Sequence, residues 1–212
     1  TNTTAEGIKT SEKINILPGV EFDVLFEDGM VPCHVITIFN GNTSEELRGI
    51  NTSIKEDLLE SKDDYYSLER FEQILKKIGL SVILIVCQRK SLDNHNGKHT
   101  SLSDSTNSPL KILKYGYINA LEYKSIANEG IVKKSLVENK LEQALICGSD
   151  CHEWNAYPYH DSAKQNEAKK NNKNEDDLQY YSIIKALPTF RGLLMALTSP
   201  STRFNRIIQN KK

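Results

Sequence analysis

The sequence lacks any unbroken apolar run near the ~18 to 20 residues that a membrane-spanning helix requires, its longest candidate being residues 80–87. A membrane protein is not expected. Cysteine is sparse as well: four residues, Cys33, Cys87, Cys147 and Cys151, are too few to staple 212 residues into a disulfide scaffold. Residues 1–11 are polar, without the basic and apolar regions of a secretory leader. A reducing cytoplasm is therefore the expected setting. The chain does not begin with Met, from which we expect it to be cut from something longer. No charge of one sign predominates, since 27 Lys and Arg face 28 Asp and Glu. With 38% hydrophobic and 26% charged residues, neither wholesale disorder nor a coiled-coil rod fits. One globular domain spanning residues 1–212 is the default at this length.

What is present is unevenly placed. Residues 1–177 carry 21 basic and 28 acidic side chains, whereas residues 178–212 carry 6 basic and no acidic ones. That C-terminal stretch is polarised. Lys185, Arg191, Arg203 and Arg206 are its candidates for meeting a phosphate backbone or an acidic partner, the alternative being solvated charges flanking the last helix.

Short runs rich in Ile, Val and Leu alternate with longer helical segments, which predicts an α/β class. Strands are expected at residues 14–26 (interrupted at Pro18-Gly19), 34–39, 81–86, 118–123, 144–147 and 182–186. Thr43-Ser44-Glu45-Glu46 opens one helix, residues 67–75 carry another that ends at Gly79, and Thr189 to Leu197 is a third, stopped by Ser199-Pro200. Two polar tracts, residues 91–108 and 162–177, read as insertions beside the working face.

The sharpest local signal is Cys147-Gly148-Ser149-Asp150-Cys151-His152, directly after an apolar strand. A carboxylate and an imidazole two residues apart at a strand end can reach one cation, and Gly148 lets the backbone turn tightly. Glu21 is an acid among β-formers, which strands normally disfavour. His34 opens a strand in which alternation sets it on the face of Ile36 and Ile38, and Glu122 closes another. Taken singly, each also fits an edge charge or a hydrogen-bonded histidine. Taken together, they are the oxygen and imidazole ligands that strand ends supply to Zn, Mn or Fe.

In their order, Leu17-Pro18-Gly19-Val20-Glu21, Cys33-His34-Val35-Ile36, Leu121-Glu122-Tyr123 and Cys147 to His152 resemble the PHP (polymerase and histidinol phosphatase) family of metal-dependent phosphoesterases. The match is strongest to the TrlF-like type associated with AAA or SMC-like ATPases, whose strand and Thr-Phe-x-Gly-Leu helix start resemble residues 183–193 here. The resemblance implies a distorted (β/α)7 TIM-like barrel, incomplete at the N-terminus, with divalent metal ions at the strand ends. It implies Glu21, His34, Asp150 and His152 as metal ligands, Asp150 and His152 as catalytic residues, and hydrolysis of a phosphoester by metal-activated water. The substrate could be a nucleic acid and the partner a fused or separate ATPase. The family's opening His-x-His motif has no counterpart, because no His precedes Glu21. Either a preceding segment supplies it, or the chain is a degenerate module kept for protein or nucleic-acid docking. Where the family places a middle His, this chain has Cys87 and Gln88. Cys87 is either a thiolate ligand or a small apolar filler, and His95 and His99 just beyond it are either substitutes or loop residues.

Overall fold

A computed structural model describes residues 16–61, 64–87, 102, 107–123, 126–148, 152–153, 155 and 181–207. Elements follow in the order β1 (Gly19–Leu25), β2 (Cys33–Phe39), α1 (Ser44–Glu56), β3 (Tyr66–Ser67), α2 (Leu68–Ile78), β4 (Val82–Cys87), α3 (Ser108–Leu113), β5 (Ala120–Glu122), α4 (Ile126–Glu138) and β6 (Ala144–Ile146). After them come β7 (Tyr181–Ile184), α5 (Phe190–Leu197), α6 (Pro200–Arg203) and β8 (Phe204–Ile207). The α/β class expected from the alternating pattern is present.

Local chemistry explains where the helices start and stop. Thr43 caps α1 through a reciprocal box, its Oγ1 accepting from the Glu46 amide at 3.2 Å while Glu46 Oε2 accepts from the Thr43 amide at 2.9 Å. Ser67 caps α2 by accepting from the Arg70 amide, and Gly79 closes that helix with φ of 71°, a left-handed conformation that costs glycine nothing. β4, Val-Ile-Leu-Ile-Val-Cys, is apolar on both faces, as a strand buried from both sides must be. Period-2 alternation instead gives β1 a buried side (Phe22, Val24) and a more open side (Glu21, Asp23).

The six-stranded sheet runs β3-β1-β2-β4-β5-β6. β1 pairs parallel with β3, and β4, β5 and β6 pair parallel in series, while β2 lies antiparallel to both β1 and β4. Helices cover both faces. On one, Phe71 and Ile74 of α2, Ile112 of α3, and Val132 and Leu136 of α4 pack on Phe22, Val24, Val35, Leu84, Val86 and Leu121. On the other, Phe190, Leu193, Leu194 and Leu197 of α5, with Phe204, pack on Ile36, Ile38, Ile83, Ile85, Ala120 and Ala144. Burying a Phe or Leu side chain is worth ~1.5 to 3 kcal/mol, so these two layers hold the sheet between them.

This differs from the expected barrel. Among the described residues the sheet is open, with β3 and β6 at its edges, and the reversed β2 departs from an all-parallel (β/α) order. The reason lies in the short β1–β2 connection, which turns at Gly29 (φ 77°) and leaves too few residues for a crossover helix. β7 and β8 form a separate antiparallel pair, residues 204–207 being a strand that was not expected from the sequence. Of the two predicted insertions, residues 162–177 and nearly all of 91–108 lie outside the described residues.

Candidate functional site

Strand direction assembles the site. β1, β4, β5 and β6 all run the same way, so their carboxyl ends share one rim, the usual binding edge of an open α/β sheet. β2 runs the other way, which brings its amino end to that rim. Register then sets Asp23 of β1 opposite His34 of β2, and His34 opposite Cys87 of β4. Directly paired residues of antiparallel strands share a face. Two residues beyond the Ile85–Ala120 pair, the parallel register brings Glu122 of β5 level with Cys87, and Glu122 is paired in turn with Ile146 of β6. A row Asp23, His34, Cys87, Glu122 thus crosses the sheet at the rim, on the face that carries α5.

Two of its members meet Glu21 at its β1 end. His34 Nδ1 lies 2.7 Å from Asp23 Oδ1 and 3.3 Å from Glu21 Oε1. The shorter one is a close polar contact rather than a straight hydrogen bond, and neither Nδ1 nor Oδ1 reaches solvent. Glu21 stands further out, its side chain 58% exposed against 23% for Asp23 and 27% for His34. Glu21 and His34 lie side by side because strand alternation and the hairpin register put them on one face. His34 opens its strand rather than closing it, and only the antiparallel turn delivers it to the rim.

Asp23 was not among the residues expected from sequence. Its signal was present in Glu21-x-Asp23, two acids on one face of a strand whose other face is Phe22 and Val24. Recognising it required the hairpin register that sets Asp23 against a histidine.

Cys87 is 3% exposed, its thiol donating to the Ile85 carbonyl at 3.7 Å, and it belongs to the apolar cluster under α5. Of its two readings, this environment suits the small apolar filler. Glu122 is half-buried and borders the start of the Gly-Ser-Asp-Cys-His loop: a Cβ on Gly148 would lie 3.6 Å from Glu122 Oε1. The loop leaves β6 tethered to the β7–β8 pair, because the Cys147 amide donates to Ser182 Oγ at 3.0 Å. Asp150 lies outside the described residues, as do His95 and His99. His152 is described and exposed.

The basic candidates divide. Lys185 and Arg203 are clasped across the β7–β8 pair, the Lys185 amide donating to the Arg203 carbonyl at 2.7 Å and Arg203 Nη1 donating to the Lys185 carbonyl at 3.2 Å. Arg191 is exposed in the first turn of α5. Arg206 pairs by backbone with Ser182, its side chain lying outside the described residues.

Chemically, the rim offers carboxylate oxygens and an imidazole, beside a hairpin carrying cationic side chains. Such donors suit hard or borderline divalent cations. Among the described residues, no three His, Cys, Asp or Glu side chains are set to enclose a metal ion by themselves. The chain matches no known protein family, no curated protein and no solved structure.

Proposed function

We propose that the chain is a metal-dependent phosphoesterase domain of PHP type, able to act on nucleic-acid phosphodiesters and working beside an ATPase domain or subunit. The observation that carries the reading is the contact of Glu21 with His34 on the rim that also carries Glu122. The ATPase partner rests on the sequence resemblance alone. The open sheet would be the described part of the distorted barrel. The proposed cytoplasmic setting rests on the low cysteine content of the sequence.

By the resemblance, Glu21, His34, Asp150 and His152 would hold the metal, and Glu122 lies on the same rim as Glu21 and His34. When bound, Zn, Mn or Fe would supply a Lewis acid for the phosphoryl oxygen and a water acidic enough to attack at neutral pH. The chain's own part is to orient and screen. Asp23 stands against the His34 ring at 2.7 Å, and the exposed Glu21 carboxylate offsets positive charge at the rim. Lys185 and Arg191 provide cationic anchors for a phosphate, Arg being suited to grip two of its oxygens.

The test is elemental analysis of the purified chain together with hydrolysis of bis(p-nitrophenyl) phosphate in added Mn or Zn. Metal retention and turnover that falls at least tenfold in Glu21→Ala and in Asp150→Ala would support the reading. A chain that keeps no metal and shows no turnover would overturn it. Under that result, nucleic-acid binding that weakens steeply with salt would identify the alternative, a catalytically degenerate docking module using the basic tail.

A further inference from the structure

The two ends of the sheet carry complementary surfaces. β3 forms one edge, and β6, to which the β7–β8 pair is tethered through Ser182, forms the other. With neighbouring strands ~4.8 Å apart, the two edges of six strands lie ~24 Å apart, so one molecule cannot bring its own ends together.

At the β6 end, Leu187 projects from the turn between β7 and α5 with 74% of its surface exposed. The turn holds it firmly. Its carbonyl accepts from the Thr189 amide at 2.8 Å across Pro188 and rests against Gly192, where a side chain would collide. Ile184 and Met195, on the elements flanking the turn, are exposed as well, and apolar side chains gathered at a surface mark an interaction face. Lys185 and Arg191 stand exposed on either side of Leu187 in the chain, and residues 178–212 contain no acid. A phosphate backbone can use the two cations but gains nothing from the leucine between them, so the face suits an acidic protein surface with an apolar hollow. At the β3 end, Leu58, Leu59 and Tyr65 line an open cleft of about 350 Å³ together with Glu60, Asp64 and Arg70. Arg70 is turned to Asp57, its Nη2 donating to the Asp57 carbonyl at 3.2 Å and its Nε 3.8 Å from the carboxylate. Glu60 and Asp64 therefore set the sign of the cleft, whose volume admits a leucine side chain.

We propose that this face and this cleft are the two halves of one interface between copies of the chain: Leu187 of one copy enters the cleft of Leu58, Leu59 and Tyr65 on the next, while Lys185 and Arg191 meet Glu60 and Asp64. The buried leucine supplies affinity, and the opposite charges supply orientation. Because the halves lie at opposite ends of the sheet, the contact is head-to-tail, and each copy that joins presents a fresh half to another. The inference does not rest on the phosphoesterase reading, although Lys185 and Arg191 cannot grip a phosphate while they face carboxylates.

Sedimentation velocity of the 212-residue chain at rising concentration, with two variants and their mixture, tests it. The parent chain should grow from monomer to dimer and beyond, and less so at high salt, which screens the ion pairs. Leu187→Glu removes the face and Leu58→Glu the cleft; both side chains are exposed, so thermal melts should stay close to the parent. Each variant alone should associate about 10- to 100-fold more weakly, the effect of one buried leucine. Mixed, they should recover association but stop at the dimer, because the intact face of Leu58→Glu fits the intact cleft of Leu187→Glu and the remaining halves cannot pair. Should a melt show either variant unfolded, Leu187→Ser and Leu58→Ser carry the same comparison. A parent chain that stays monomeric at its highest soluble concentration would overturn the proposal. So would a Leu58→Glu variant that associates like the parent, or a mixture no more associated than its separate components.

Discussion

Replacing Gly192 by Ala should destabilise the protein, although the same change in an ordinary helix interior is favourable by ~1 kcal/mol. Gly192 lies in the first turn of α5, where an added Cβ would fall 2.3 Å from the Leu187 carbonyl oxygen, 3.0 Å from its carbon and 3.1 Å from Leu187 Cβ. Comfortable contact begins at ~3.5 Å, so the carbonyl would have to retreat. It is poorly placed to do so. Leu187 O accepts from the Thr189 amide at 2.8 Å, across Pro188. Thr189 in turn caps α5, its Oγ1 accepting from the Gly192 amide at 3.0 Å and its carbonyl from the Leu193 amide at 2.9 Å. Moving one carbonyl therefore loosens the cap, worth ~0.5 to 2 kcal/mol, on top of an overpacking cost of ~1 to 3 kcal/mol. After subtracting the helix gain, a net loss of ~1 to 3 kcal/mol is expected. At ~2 to 4 °C per kcal/mol for a chain of this size, Tm should fall by about 2 to 12 °C. Urea unfolding gives the free energy directly, with the m-value as a check that only the native state has changed. Gly49→Ala is the internal control: it sits in α1 with nothing within 4 Å of a new Cβ and should gain ~0.5 to 1 kcal/mol. If Gly192→Ala equals or exceeds the parent in stability, the steric argument is wrong.

Thr43→Ala should cost ~1 kcal/mol by removing the α1 cap, read from chemical denaturation. The amides of Asn42 and Thr43 hold the Glu46 carboxyl below its ordinary 4.5, so its contribution is complete above 4.5 and disappears as pH falls through the lower folded-state value. Thermal melts across that range should be flatter on the acid side for Glu46→Gln, and an unchanged acid slope would count against the capping box. Burial, with the Glu72 carboxylate accepting its hydroxyl at 2.6 Å, raises the Tyr117 phenol above its ordinary 10.0. The unfolded chain ionises first, so stability should fall as pH climbs past 10.0. In an ultraviolet phenolate titration, Tyr117→Phe should delete a step beyond that value, and loss of an ordinary step near it would contradict the assignment. Thr37, fully buried in β2, has no partner for its Oγ1 among the described residues. Thr37→Val should therefore stabilise by ~1 kcal/mol in the same denaturation assay, since it removes a buried hydroxyl while keeping the side-chain shape.

Much of the architecture was legible because its causes are local. The apolar run at β4 is long enough for a doubly buried strand, Thr43 with Glu46 marks a helix start, and Gly79 marks a helix stop. Observed limits fall within a residue or two of those expected at β2, β4 and α5. At β1 and β5 the expected strands were too long, because pairing partners rather than composition decide where a ladder ends. α3 and α4 had not been named individually. α4 has almost no amphipathic period, and Val137 and Leu141 beside its end remain exposed, so no single face announced a helix. The strand at residues 204–207 is visible only through its partner β7.

Of the candidate site, the sequence by itself determined which titratable side chains are present and which face of a strand each occupies. Alternation places Glu21 and Asp23 on one face of β1, and His34 with Ile36 and Ile38 on one face of β2. What only the tertiary structure decided is strand direction, order and register. β1 and β2 are neighbours in the chain, yet nothing in their composition says that Asp23, rather than Glu21, sits across from His34. Cys87 and Glu122 come into the same row from 53 and 88 residues further along than His34, through pairings whose register each strand alone leaves open. The physical reason is that backbone hydrogen bonds join any strand to any other. A one-residue slip would turn every side chain to the opposite face, so the choice falls to burial of the two apolar layers under α2–α4 and α5, which is a property of the whole fold.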